Sequence, residues 1–137
     1  MKDLKLLIDN RLVTMSSDVT GLLGGIGVRW MPALEPYRDS ALALRKKLDN
    51  AKAKQSELNI KWSNILLDTE YNMNTFAEQQ PSKSEICVFS DDLKSRLQDC
   101  LDKKVALVKE IDDIYEEWID FNGRLKTFYV QHGLEHT

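Results

Sequence analysis

His132 and His136 are four residues apart, a spacing with which one helix face can hold a metal ion. They lie in the last six residues, beside Gly133, with no third ligand near them in the sequence. They read as part of a frayed tail, and no metal is expected. With no other histidine in the chain, a serine or cysteine nucleophile lacks its usual base. Asp112, Asp113, Glu116 and Glu117 are close enough along the chain to be considered as a general acid and base. That role needs a carboxyl whose pKa is raised in a pocket. Acids this dense on one helix instead read as a solvated or salt-bridged face, and no calcium-loop spacing is present. Gly21, Gly24, Gly25 and Gly27 supply the glycines of a phosphate loop. Val28 and Arg29 follow where such a loop needs Gly-Lys-Ser/Thr, and no strand is predicted before it. The stretch is expected to be a flexible connector. Catalytic residues, cofactors and a small-molecule substrate are therefore not expected, and the chain reads as non-enzymatic.

The two cysteines, Cys87 and Cys100, form no CxxC pair and no disulfide framework. A reducing compartment is expected, cytoplasmic or nuclear. Cys100 reads as a small core residue and Cys87 as an accessible one. The formal net charge of −3 gives no basic excess for nucleic acid. Asp3 lies among the first residues and the apolar run stops at Ile8, a poor pattern for a signal peptide. The weakly polar stretch 20–28 is too short and too rich in glycine to span a bilayer.

The elements that position these residues are helical. The chain has 137 residues, 30% of them charged, with only six glycines and three prolines. Few breakers combined with abundant Leu, Lys, Glu and Asp favour long helices over a sheet. A first segment, residues 2–20, spaces Leu4, Ile8, Leu12, Met15 and Val19 along one helix face. Residues 21–33 form the Gly/Pro linker. A long helix over 34–78 carries a stripe from Leu34 through Leu44, Leu48, Leu58 and Trp62 to Ile65 in steps of three and four. Past Trp62 the strict heptad meets Thr69 and Asn72. Shifting by one residue gives Trp62, Leu66, Thr69, Met73 and Phe76, a four-residue stutter that would locally relax the supercoil. Residues 79–89 are the link, and Ser90 is the expected N-cap of a second long helix over 90–130. Residues 131–137 are the tail.

That last helix carries two seams. One runs Leu93, Leu97, Leu101, Lys104, Val108, Ile111, Tyr115, Trp118, Asn122, Leu125 and Tyr129. The other runs Leu107, Ile111, Ile114, Trp118, Phe121, Leu125 and Phe128, apolar throughout. An apolar arc this wide packs against more than one neighbour. The second seam, together with Trp62, is assigned to a partner interface, since buried Trp and Tyr are common hot spots. The aromatic cluster as a pocket for a small apolar ligand is the weaker alternative.

The expected architecture is all-α: an elongated antiparallel hairpin or coiled coil with a short N-terminal helix, folded as a single domain. Seven bases among residues 38–61 would lie beside six acids among 110–120 if the chain folds about residue 85. Such pairs contribute only about 0–1 kcal/mol each but can select orientation. A three-helix bundle is the other arrangement. One short amphipathic stripe is expected to be too small to cover a two-faced helix, so partner helices in a hetero-oligomer are favoured.

The stretch Ser56-Glu57-Leu58-Asn59-Ile60-Lys61-Trp62-Ser63-Asn64-Ile65-Leu66 resembles the closing helix of a spectrin-type repeat, with a Leu and a basic residue ahead of a Trp. The resemblance implies a cytoskeletal or nuclear-envelope linker and supplies no functional residue. The build is also similar to subunits of vesicle-biogenesis and kinetochore complexes. The expected function is a coiled-coil scaffold or tether subunit. A self-contained spectrin-like three-helix adaptor is the alternative.

Overall fold

A computed structural model describes residues 2–134 of the chain. They fold into α1 (Lys2–Val28), α2 (Glu35–Gln79) and α3 (Lys83–Gln131), with a 3-10 turn at Pro32–Leu34 and no strand. The all-α class is as expected. Two boundaries differ.

α1 runs through the expected linker and includes all four of its glycines. Each glycine weakens a helix by about 1 kcal/mol relative to alanine. Tertiary packing offsets this, because Ile8, Leu12, Met15, Val19 and Ile26 are all buried. The apolar stripe of the first segment therefore continues past residue 20.

The link shrinks as well. Ser82 caps α3, accepting a hydrogen bond from the Glu85 N–H at 3.2 Å, and its hydroxyl lies 3.3 Å from the Glu85 carboxylate. This Ser82 cap starts the helix eight residues before Ser90. α2 ends on Gln80, which sits in the left-handed region at φ 52° and donates its N–H to the Phe76 carbonyl. At the far end Gly133, also at positive φ, follows the last turn of α3.

α2 and α3 are antiparallel. Lys47 pairs with Glu117 at 2.7 Å, Lys54 with Glu110 at 2.9 Å and Asp68 with Arg96 at 3.0 Å. One register holds over the whole hairpin, and its fold point is Ser82 rather than residue 85. The basic and acidic stretches do lie side by side.

α1 packs back antiparallel to α2. Gln55 reaches the Lys5 carbonyl and the Asp9 carboxylate at one end, and Arg29 reaches the Leu134 carbonyl at the other. At about 1.5 Å per residue, α1 is roughly 40 Å long and α2 roughly 67 Å. The molecule is a three-helix bundle for somewhat more than half its length. Beyond it, α2 and α3 continue as a two-helix arm for roughly 25 Å.

Candidate helix-docking face

The core of the bundle is the seam that the sequence assigns to partners. Leu107, Ile111, Ile114, Phe121, Leu125 and Phe128 are buried against the chain's own helices. Tyr37 of α2 packs on Phe128 with ring centroids 5.0 Å apart. This corrects their assignment to a partner interface: α2 supplies most of the cover, and α1 flanks the seam beside Asp112 and Tyr129. Trp118 is half-buried, stacked on Tyr115, and its indole N–H is buried without an acceptor. Trp62 is half-buried at the root of the arm.

The two sides of the α2–α3 seam differ. The three interhelical ion pairs line one side. α1 occupies the other, where Arg11 pairs with Asp112 at 2.6 Å and the Arg29 guanidinium stands 5.0 Å over the Tyr129 ring. Leu22 of α1 lines a pocket there with Asn122, Leu125 and Tyr129. On α2, the positions flanking the seam on α1's side recur every seven residues. Alongside α1 they are Arg38, Arg45, Lys52 and Asn59; past its N-terminus they become Leu66 and Met73. The polarity is the inverse of what cover by α1 would require. Leu66 is 52% exposed and Met73 59%, and Ile60 and Leu67, on the outer face of α2, are also exposed.

The expected stutter does not occur. Ile65 is buried, and the strict heptad continues through half-buried Thr69, Asn72 and Phe76. The Thr69 hydroxyl donates to the Ile65 carbonyl at 2.7 Å, so it enters the seam without an unpaired polar group. Leu66 and Met73 are thereby left outside. The arm's own core is thin: Ile65 and Cys100 are buried, Leu93 and Leu97 are half-buried, and Phe76 meets Phe89 edge-on at 5.0 Å.

A polar layer marks where the bundle gives way to the arm. Lys104, only 1% exposed, donates to Asn59 Oδ1 at 2.7 Å and to Gln55 Oε1 at 3.3 Å. Gln55 Nε2 in turn donates to Asp9 Oδ1 at 3.1 Å. Burial pushes the Lys104 ammonium below its ordinary pKa. A buried polar layer in a helical seam fixes register at some cost in stability.

Residues 60–103 hold eight acids (Asp68, Glu70, Glu78, Glu85, Asp91, Asp92, Asp99 and Asp102) and five bases (Lys61, Lys83, Lys94, Arg96 and Lys103). The arm thus accounts for the whole formal charge of −3.

Of the other candidate residues, His132 Nδ1 lies 2.9 Å from the Phe128 carbonyl, and His136 is outside the described residues. No group of metal-binding side chains occurs among the described residues. Asp112, Glu116 and Glu117 are exposed, two of them already in or near ion pairs with α1 and α2. Cys100 is buried with its thiol 3.7 Å from the Leu58 carbonyl, and Cys87 is exposed. No described helix is long and apolar enough to cross a membrane.

The sequence alone hides the exposed bank on the arm, because the apolar pattern places Leu66 and Met73 in the seam. No protein-family model, characterised protein or solved structure matches this chain.

Proposed function

We propose that this chain is a non-enzymatic coiled-coil subunit that assembles with partner helices in a multi-protein complex. Scaffold or tether work in a reducing compartment fits it, of the kind done in trafficking, cytoskeletal and kinetochore assemblies. The observation that carries this reading is the arm: a two-helix projection with a thin core, with Leu66 and Met73 exposed beside its seam and Ile60 and Leu67 exposed on its outer face. Large apolar side chains left exposed together on one projection mark an interaction site. The test is the size of the native species. The tagged chain, isolated gently from its source cells and sedimented, is expected in a stoichiometric complex. Recovery solely as a monomer would contradict the reading.

A self-contained three-helix adaptor, spectrin-like in build, is the second reading. The burial of Leu107, Ile111, Ile114 and Phe121 beneath the chain's own helices favours it. The two readings meet in one design: a bundle that folds alone and an arm that does not use all its apolar surface.

A further inference from the structure

Resting on that reading of the chain as a helix-binding subunit, we propose that the bank bearing Leu66 and Met73 receives one amphipathic helix, in line with α1, whose apolar stripe is flanked by Arg or Lys.

α1 already shows how a helix occupies this side of the hairpin. It lies along the seam, buries an apolar stripe, and places Arg11 on Asp112. Asp91 lies three whole heptads before Asp112 on α3, so the two carboxylates leave the helix in the same direction. Asp112 faces the occupied part of the lane and Asp91 the vacant part. Glu70 stands on the α2 bank between Leu66 and Met73. Asp91 and Glu70 are exposed, and neither has an ion pair among the described residues. A helix entering the lane would therefore meet Leu66 and Met73 with Glu70 beside them, and on the α3 bank Asp91 together with Lys94, two carboxylates against one ammonium.

The same charges disfavour a second copy of this chain. Two arms of formal charge −3 pressed together would repel, and like charges brought across an interface weaken it. A helix with basic flanks is attracted instead.

The test uses the full chain and two synthetic peptides, each of roughly 18 residues with Leu and Ile at heptad core positions. One has Arg beside the stripe and the other has Glu. Binding is read by fluorescence anisotropy at low salt. The Arg-flanked peptide is expected to bind at least tenfold tighter than the Glu-flanked one. Leu66→Glu combined with Met73→Glu should weaken it tenfold or more without changing the chain's helicity or melting. Asp91→Lys with Glu70→Lys should reverse the peptide preference. Equal binding of the two peptides, no binding of either, or Arg-peptide binding indifferent to Leu66→Glu/Met73→Glu would each overturn the proposal. Self-association of the chain that those two substitutions abolish would also overturn it, in favour of a second copy. If a native complex survives the same substitutions, the subunit reading stands and only this lane is refuted.

Discussion

Gln55 accepts a hydrogen bond from the Lys104 ammonium and donates one to the Asp9 carboxylate, so a single amide joins all three helices. The layer lies where α1 ends and the arm begins. Its chemistry is expensive, because a buried ammonium with neutral oxygen partners has lost most of its hydration. Replacing Lys104 and Gln55 together by Leu is expected to raise the unfolding free energy by about 1–3 kcal/mol, read by urea denaturation. Lys104→Ala alone should instead lower it by about 2–3 kcal/mol, since Gln55 and Asn59 lose their donor and a cavity remains.

The same lysine makes stability depend on pH. Burial holds its folded pKa below the ordinary 10.5 that it regains on unfolding. Between those two values the unfolded chain binds more protons, so stability rises with pH. Below the folded value the full penalty is present. The stability gap between Lys104→Leu/Gln55→Leu and the natural chain should therefore narrow as the pH climbs towards 10.5. Urea titrations over that range check the sign, and a gap that widens would contradict it.

α1 should be stabilised by removing its glycines. A Cβ at Gly21, Gly24 or Gly27 meets nothing within 4 Å. Alanine at each is expected to add about 0.5–1 kcal/mol by favouring the helical backbone. Gln80→Gly should stabilise the α2 terminus for a different reason, because an L-residue at positive φ costs about 1–2 kcal/mol. Thermal melts of the individual variants measure both effects.

Leu12→Ala distinguishes a structural α1 from an ornamental one. Leu12 is buried in the shared core. Truncating it should cost about 2–5 kcal/mol of global stability. A loss below about 0.5 kcal/mol would mean that α1 is not part of the folded unit.

The helical class, the long α2 and the antiparallel charge pairing were legible because each rests on local periodicity. Lys47 and Lys54 do meet Glu117 and Glu110. The reach of α1 was not, since glycine propensity points one way and the burial of Val19 and Ile26 the other. Propensity is a local signal, and burial is known only once the neighbours are placed. Ser82 carried a readable N-cap signal, but Pro81 beside it suggested a loop. The arm's bank was hidden by a rule that usually serves well, that the most apolar stripe forms the seam. Ile65 and Asn72 take the seam positions, Thr69 between them bonds its hydroxyl to the Ile65 carbonyl, and Leu66 and Met73 are left on the surface.

Hydrogen exchange on the chain, free and within its native complex, tests the central claim most directly. In the free chain, amides of residues 60–79 should exchange faster than those of the bundle, because the arm has little buried core to resist local opening. In the complex, the turns around Leu66 and Met73 are expected to slow at least tenfold, while Leu107 to Phe128 change little. Slowing confined to α1 or the bundle, with the arm unchanged, would contradict the claim that the arm is where this chain binds its partner.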